Sequence, residues 1–332
     1  MRKLISLLLV VCLTGCHQTK TGEAREIRVA LSRDGITWLP VRLANTLGYF
    51  KEQNLLVSTS DVSGLSKATE ALLGGSVDIA AGGLSEAIQV AAEGRSVRAF
   101  ELLYTRPVMA IAVAPAMEGK IKSIADLKKH IVGVASLGSP TQQQLNYQLA
   151  THGLSFEDVS VVSIGTGGSS LAAIEHDQVA AAVLVGSAIT TFERRNPGAV
   201  LLVDSRTAEG ARTMFGSEIF PNTALMAQDS WLKANPDTAR AFASAVLKAM
   251  SWMRTHTAEE VRAKMSESER LPDVEADLQA IRQAQRSLSP DGVIPDSGPE
   301  LVRKYIAISN EKVRAANVNL TNVYTNEFVT VR

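Results

Sequence analysis

Two kinds of hydrophobic pattern alternate through the first two thirds of the chain. Short apolar or alternating runs, such as residues 26–32 and 55–61, are typical of β-strands. Between them Leu39, Leu43 and Leu47 recur every four residues, which is the spacing of one buried helical face, and Pro40 suits the first turn of that helix. Repeated strand–helix alternation predicts a parallel sheet covered by helices.

A second run of the same kind begins near Val108. Its apolar segments predict strands over residues 109–115, 131–136, 159–164, 179–186 and 200–205, with helices over 123–130 and 170–178. After residue 228 the pattern becomes helical and more charged. Pro236 begins a long helix whose apolar face carries Phe242, Val246, Met250 and Met253. The sequence therefore predicts two α/β units and a helical C-terminal portion.

Composition narrows the class of protein. The 332 residues are 45% apolar and 20% charged, which is typical of a globular chain long enough for one large domain or two medium ones. Basic and acidic residues balance at 34 each, and no long run of one charge occurs. This balance argues against nucleic acid as the main partner.

The N-terminus resembles a bacterial lipoprotein signal peptide. Arg2 and Lys3 precede the apolar run ISLLLVVCL, which is too short to span a membrane, and Leu13-Thr14-Gly15-Cys16 follows. The resemblance implies that residues 1–15 are removed, that Cys16 carries lipid such as palmitate, and that residues 16–25 form a tether on the extracytoplasmic side of a membrane. The alternative is an ordinary secretory signal in which Cys16 is incidental.

The turns that follow predicted strands are rich in Gly, Ser and Thr. In open α/β sheets, ligands bind at the carboxyl ends of strands, and helix starts there offer free N–H groups to an anion. This rule selects a set of candidate ligand-binding residues: Thr37, Trp38, Ser63, Gly64, Gly83, Ser85, Ser136, Gly138, Ser139, Thr141, Gly165, Thr166 and Gly186.

Several of these candidates also have a structural interpretation. Ser139-Pro140-Thr141-Gln142 has the sequence of a capping box, with Ser139 as N-cap and Gln142 as the third helical residue, so a Ser139 hydroxyl bound to Gln142 would be less available to a ligand. Trp38 could pack in the core or lie against a planar or apolar ligand. Asp34, in the same loop, would favour an ammonium group if it points inward.

Ordered local patterns resemble those of a transport family. PVRLANTLGYF (40–50), LLGGSVDIAAGG (72–83), KSIADLKKHIVGVASLGSPT (122–141) and WLKANPDTARAF (231–242) occur in the order and spacing of periplasmic substrate-binding proteins of ABC importers. The resemblance is to the branch that covers nitrate, alkanesulfonates, taurine and thiamine-pyrimidine precursors. It extends from about residue 26 to about residue 265.

This resemblance implies an α/β fold of two lobes, each a mainly parallel sheet flanked by helices, with the ligand in the cleft between them. Lobe one would comprise residues 26–106 and 223–332, and lobe two residues 107–222. The chain would cross near residues 104–107 and 220–223, which adds Arg106 and Asn222 to the candidate residues. Arg106 would pair with an anionic ligand or brace the hinge. Ligand binding would close the lobes by hinge motion.

The expected function is that of a monomeric, lipid-anchored receptor, without cofactor or metal, that passes a small organic solute to an ABC permease. One rival is an enzyme. However, the GTGGSS segment has Ser170 where a dinucleotide loop needs its third glycine, and the five histidines are scattered without metal-ligand spacing. Fungal enzymes of the pyrimidine-precursor branch use a Cys-rich motif, and in this chain no Cys follows Cys16. The other rival is a sensor lipoprotein on the same fold.

Overall fold

Two separate five-stranded sheets organise the part of the chain that the computed structural model describes, residues 24–32 and 36–329. The predicted signal peptide, Cys16 and Asp34 lie outside these residues. The strands are β1 Arg25–Ser32, β2 Leu55–Val62, β3 Ile79–Gly82, β4 Val97–Leu102, β5 Met109–Val113, β6 Ile131–Val134, β7 Ser160–Ser163, β8 Ala181–Val185, β9 Leu201–Asp204 and β10 Ala224–Gln228.

Each sheet contains one strand that runs against its neighbours. The first sheet has the order β2-β1-β3-β10-β4 and the second the order β7-β6-β8-β5-β9. β10 pairs antiparallel with β3 and β4, whereas β5 pairs antiparallel with β8 and β9. These are the first strands after each passage of the chain from one sheet to the other. The predicted α/β architecture of two mainly parallel sheets flanked by helices is confirmed.

Helices cover the faces of both sheets. They are α1 Leu39–Thr46, α2 Tyr49–Glu52, α3 Leu65–Leu73, α4 Leu84–Ala92, α5 Pro140–Thr151, α6 Gly168–Glu175, α7 Ser187–Arg195, α8 Ala208–Phe215, α9 Asp229–Ala234, α10 Pro236–Thr255, α11 Ala258–Lys264, α12 Val274–Ser287, α13 Gly298–Ala307 and α14 Glu311–Ala315. Within the described residues, none of them combines the length and apolar character that crossing a membrane requires.

The helix predicted over residues 123–130 is wrong. A single 3₁₀ turn, Ile124–Leu127, occupies this segment, capped reciprocally by Ser123 and Asp126. Lys129 then adopts a positive φ of 66°, which ends any helix, and β6 begins two residues later. Ser123 and Asp126 form a strong helix-start signal, but too few residues lie between them and β6 for an α-helix.

The long C-terminal helix is confirmed, and it completes the first core. Phe242, Val246, Met250 and Met253 of α10 are all fully buried, as their helical spacing predicts. Phe242 stacks on Phe50 with ring centroids 4.8 Å apart. Burial of these side chains holds α10 against the first sheet and its helices, which the chain has rejoined at β10.

The last sixty residues contact elements of both sheets. Tyr305 of α13 donates a hydrogen bond from its hydroxyl to Oε1 of Gln144 in α5, at 2.7 Å. On α12, the Gln283 amide donates to the Arg206 carbonyl at 2.6 Å. Between these two helices, the N–H of Ser289 donates to the Leu103 carbonyl at 2.8 Å, beside the first passage between the sheets. The C-terminal segment therefore forms hydrogen bonds with the parts of the chain that carry both sheets.

A carboxyl group without a partner lies in the core of the first sheet. Glu101 of β4 is 0% exposed, and neither of its carboxylate oxygens has a hydrogen-bond partner in the described structure. Burial raises the pKa of Glu101 well above its ordinary value, because a charge in this apolar environment would be poorly solvated. The neutral acid is therefore the form that folding favours.

We expect Glu101→Met to raise the free energy of unfolding by about 1–3 kcal/mol near neutral pH, because it removes an unpaired buried polar group at similar volume. A raised folded-state pKa makes the contribution of Glu101 most favourable below its unfolded pKa of about 4.3, and that contribution is lost as pH rises toward the folded pKa. The advantage of the variant should therefore grow between pH 5 and pH 8. Urea unfolding at several pH values measures it.

The control for this prediction is Glu157→Met, at an exposed glutamate of the second unit. Its stability difference from the unmodified protein should be small and nearly independent of pH. An advantage of Glu101→Met that stayed constant from pH 5 to pH 8 would contradict a neutral buried carboxyl.

Candidate functional site

A small cavity lies between the two sheets, at the edge where the carboxyl ends of their parallel strands meet. Its volume is about 90 Å³. Its wall is formed by Ser32, Thr37, Trp38, Ser63, Gly64, Leu65, Gly82, Pro107, Val108, Met109, Ala135, Ser136, Ser139, Pro140, Thr141, Thr166, Val185, Asn222 and Thr223. The wall draws on both sheets, so a solute held here would touch both.

The structure brings many of the predicted ligand-binding residues to this wall. They are Thr37, Trp38, Ser63, Gly64, Ser136, Ser139, Thr141, Thr166 and Asn222. Other candidates do not line the cavity: Gly83, Ser85, Arg106, Gly138, Gly165 and Gly186. In the latter group, Gly138, Gly165 and Gly186 have positive φ values and shape the turns around the cavity.

Several wall residues were missed for a topological reason. β5 and β10 run antiparallel to their neighbours, so their beginnings, rather than their ends, lie at the cavity edge. This places Pro107, Val108 and Met109 on the wall from the start of β5, and Thr223 from the start of β10. A rule that searches only after strands cannot find them. Val185, at the end of β8, was missed because it is apolar.

Trp38 is a wall residue whose polar atom is already bound. Its side chain is only 1% exposed, and its indole N–H donates to Oγ of Ser32 at 2.6 Å. Ser32 is the last residue of β1, so this bond ties the ring to the end of the strand. With the N–H engaged, Trp38 offers apolar ring surface rather than a hydrogen bond to the cavity.

The start of α5 is organised differently from the predicted capping box. The Ser139 hydroxyl does not accept from the helix; it donates to the Ser136 carbonyl at 2.6 Å. Oγ1 of Thr141 accepts from the Ala135 N–H at 2.8 Å and lies 2.7 Å from the Ser139 hydroxyl. Oε1 of Gln142 reaches the Gly138 N–H rather than that of Ser139.

This arrangement leaves α5 without a side-chain cap. The short turn before Pro140 satisfies its own hydroxyls, so they bind the loop and not the helix. The N–H groups in the first turn of a helix have no acceptor within the helix itself. At α5 this turn lies on the cavity wall, where a solute could accept those hydrogen bonds.

The turns of the two sheets approach each other closely across the cavity. A Cβ atom placed on Gly64 would lie 3.8 Å from Oγ of Ser136, and one placed on Gly186 would lie 3.9 Å from Oγ1 of Thr37. Both distances are ordinary van der Waals contacts. Larger side chains at these two glycines would therefore press against the opposite turn.

The described wall is neutral. It carries hydroxyls, one side-chain amide and apolar groups, and no charged side chain of the described residues lines it. Nε of Arg106 is buried and makes no hydrogen bond with a described residue, but Arg106 lies off the wall. Among the described residues, no group of His, Cys, Asp and Glu is placed to hold a metal ion.

Gly83 and Ser85 lie behind the wall and hold Asn222. The Ser85 N–H donates to Oδ1 of Asn222 at 2.8 Å. A Cβ atom on Gly83 would lie 1.4 Å from the Asn222 carbonyl oxygen, so only glycine allows these two backbone segments to pass. The φ of Gly83 is 172°, an extended value open to any residue, so the requirement is steric.

The chain is similar in sequence to a known family and to two known proteins. The family described as NMT1/THI5 like matches residues 37–260. YtlA of Bacillus subtilis, which is named a binding protein, is 25% identical over 322 residues, covering 92% of this chain and 89% of that protein. THI11 of Saccharomyces cerevisiae, named a 4-amino-5-hydroxymethyl-2-methylpyrimidine phosphate synthase, is 25% identical over 240 residues, covering 67% of this chain and 68% of that protein.

Solved structures match over nearly the whole chain. A protein of Bordetella bronchiseptica RB50 is 31% identical with a TM-score of 0.86, covering 92% of this chain and 96% of that one. The periplasmic aliphatic sulphonate binding protein SsuA of Escherichia coli is 18% identical with a TM-score of 0.71, covering 92% of this chain and 99% of that one. The second likeness shows a shared fold, that of periplasmic binding proteins.

Proposed function

The chain belongs to the NMT1/THI5-like family, and from this premise we propose that it is the extracytoplasmic solute-binding component of an ABC importer. The observation that carries the proposal is the small cavity whose wall draws on both sheets. A ligand that touches both units stabilises their closed arrangement by the contacts it makes only there. Closing of the two units around the solute would capture it, and their opening would release it.

The solute that suits the cavity best is a small organic anion with an apolar end, of the sulfonate type, and related candidates are taurine, nitrate and pyrimidine-like heterocycles. Hydroxyls and the starts of α3 and α5 supply hydrogen-bond donors on one part of the wall, while Trp38 and Val185 supply apolar surface on another. One helix end contributes only about 0.3–1 kcal/mol, whereas an anion loses several kcal/mol of hydration. Donors from both sheets must therefore act together.

The lobes of this receptor would comprise residues 26–106 with 223–332, and residues 107–222. Two peptide segments connect the two sheets, one before β5 and one before β10, and hinge closure would bend them. The closed monomer would then present both lobes to the permease. In this division, Gln283 of α12 and Tyr305 of α13 belong to lobe one and form hydrogen bonds to Arg206 and Gln144 of lobe two.

A binding role is favoured over an enzymatic one by the chemistry of the wall. General acid–base catalysis requires a titratable group within hydrogen-bond reach of the substrate, and no titratable side chain of the described residues lines the cavity. The yeast relative named a synthase covers about two thirds of this chain at 25% identity, which supports a shared family more than a shared reaction.

A thermal-shift panel tests the ligand class. At a hundredfold excess over Kd, a true ligand adds about 2.7 kcal/mol, which corresponds to roughly 4 °C in Tm for a chain of this size. The panel contains alkanesulfonates, taurine, nitrate, aromatic carboxylates and pyrimidines. The matched control is Ser63→Trp, which fills the cavity from an exposed wall position and should abolish the shift. An unmoved Tm with every compound would refute this ligand class, and turnover of any compound would refute the binding role.

Membrane attachment through Cys16 is a separate proposal, based on the L-x-G-C sequence after a short apolar run. Stable anchoring needs more than one acyl chain, because each buried methylene contributes only about 0.8 kcal/mol. Metabolic palmitate labelling should mark the unmodified protein, and Cys16→Ser should lose the label and leave the membrane fraction. Label retained by Cys16→Ser would rule out Cys16 as the lipid attachment site.

A further inference from the structure

We propose that Glu86 is a positioning residue: through Ser85 it holds the side-chain amide of Asn222 with a free N–H donor directed at the solute. The proposal rests on the solute-binding function above and deepens it, because it assigns chemistry to one end of the ligand. The solute would place a hydrogen-bond acceptor, such as a sulfonate, carboxylate, nitrate or carbonyl oxygen, against Asn222.

Three residues from two distant parts of the chain form the network. Oδ1 of Asn222 accepts from the Ser85 N–H at 2.8 Å, and Nδ2 of Asn222 donates to Oγ of Ser85 at 3.0 Å. The Ser85 hydroxyl in turn donates to Oε2 of Glu86 at 2.9 Å. Ser85 and Glu86 begin α4, whereas Asn222 lies in the segment before β10.

The donor and acceptor roles in this network have one consistent assignment. A backbone N–H can only donate, so the atom of Asn222 that faces it must be the carbonyl oxygen. The amide nitrogen then faces Ser85 and uses one of its two N–H groups there. Burial raises the pKa of Glu86, and an oxygen of its carboxyl group accepts from the Ser85 hydroxyl whether that group is charged or neutral. The Ser85 lone pairs are then left for the N–H of Asn222.

Burial makes this orientation rigid. Asn222 is 7% exposed, Ser85 1% and Glu86 7%. In such surroundings a hydrogen bond is stronger than in water, and leaving a donor unpaired is costly. Close backbone contact at Gly83 lets the Asn222 segment pass directly against the start of α4, within reach of Ser85. The second N–H of the amide is the one polar hydrogen of Asn222 that the network leaves unused, and Asn222 lines the cavity.

Glu86 is not itself on the wall of the cavity. It borders a separate groove between α3 and α4, whose wall also includes Glu70, Glu93 and Arg95. Glu93 forms ion pairs with Arg95 and Lys312, so its charge is matched by neighbouring groups. Glu86 has a different partner, the Ser85 hydroxyl, and its effect on the solute must pass through Ser85 and Asn222.

The first test needs no ligand. In ¹H–¹⁵N spectra of the full chain, the side-chain amide of Asn222 is identified by its loss in Asn222→Asp. One of its two protons should exchange slowly with water because it is bound to Ser85. Ser85→Ala and Glu86→Leu should speed that exchange about tenfold, as loss of one buried hydrogen bond implies. Glu86→Gln should preserve slow exchange, because its carbonyl oxygen still accepts from Ser85.

The matched control is Glu93→Leu. Glu93 lines the same groove between α3 and α4 but has no bond to Ser85, so this variant should leave the Asn222 signals unchanged. If Glu86→Leu or Ser85→Ala also left them unchanged, the positioning role would be refuted. If Glu86→Leu fails to fold, unchanged Asn222 signals in Ser85→Ala would still refute the role, and slow exchange retained by Glu86→Ala would refute it as well.

The second test measures binding of butane-1-sulfonate and of butylammonium. The sulfonate should bind about tenfold more weakly to Glu86→Leu and with unchanged affinity to Glu86→Gln. Preferential binding of butylammonium would overturn the assigned donor. If the unmodified protein bound neither probe, the proposed ligand class would fail, while the exchange rates would still decide the role of Glu86.

Discussion

Gly83→Ala is expected to destabilise the protein by about 3 kcal/mol or more and to abolish solute binding. The added Cβ atom would lie 1.4 Å from the Asn222 carbonyl oxygen and 2.6 Å from its carbonyl carbon. These are backbone atoms, so no side-chain rotation can relieve the overlap. Overpacking in a core costs about 1–3 kcal/mol even where side chains can adjust, and here a peptide segment must move.

The displaced segment is the one that carries Asn222 to the cavity. Its movement would break the bonds between Asn222 and Ser85, which place the amide on the wall. Loss of binding should therefore accompany loss of stability. Urea unfolding measures the second effect, and a thermal-shift titration with a ligand of the unmodified protein measures the first.

Gly168→Ala provides the matched control for this substitution. Gly168 is the first residue of α6, has no positive φ, and has open space where a Cβ atom would lie. Alanine at such a site should change stability by less than about 1 kcal/mol, and in the stabilising direction. If Gly83→Ala proved as mild as Gly168→Ala, the close approach of the two backbone segments would be disproved.

Tyr305→Ala is expected to cost about 3–5 kcal/mol, the usual range for removing a large buried aromatic side chain. Tyr305 of α13 lies in a cluster with Tyr147, Phe215 and Phe220, at centroid distances of 4.7, 5.7 and 4.9 Å. Tyr147 and Phe215 belong to helices that follow strands of the second sheet. The substitution would therefore remove a contact between the C-terminal segment and the second unit.

Tyr305→Phe separates packing from hydrogen bonding at this position. It keeps the ring but leaves Oε1 of Gln144, a fully buried residue, without the Tyr305 hydroxyl. The expected cost is about 1–3 kcal/mol. Phe156→Ala, at an exposed aromatic residue, is the control and should have little effect. Equal stability of Tyr305→Ala and Phe156→Ala in urea unfolding would exclude a bridging role for Tyr305.

These two predictions concern contacts between segments far apart in the chain, and such contacts are the part of the structure that local patterns did not indicate. The strands of both sheets follow from short apolar runs, and α10 follows from the spacing of Phe242, Val246, Met250 and Met253. By contrast, α7 and α8 were not predicted. Each is short, and its buried face carries few large apolar residues: Ile189 and Phe192 in α7, and Met214 and Phe215 in α8.

The candidate site shows the same division. Turns after parallel strands could be selected from Gly, Ser and Thr alone, and Ser63, Ser136 and Thr166 do lie on the cavity wall. Whether a hydroxyl faces a solute or a neighbouring carbonyl depends on the path of the whole loop. The Ser139 hydroxyl donates a hydrogen bond to the Ser136 carbonyl instead of accepting one from the helix. A local motif cannot show which of these two partners the hydroxyl will choose.

By itself, the sequence determined the α/β class, the order of the strands along the chain, the long C-terminal helix and the turns at which a ligand site could form. These properties depend on the periodicity of side chains within single segments. Only the tertiary structure decided the pairing of β5 and β10 against their neighbours, the support of Asn222 by Gly83 and Ser85, and the bridge from α13 to α5. Each of these depends on which distant segments meet, and that is set by packing of the whole chain.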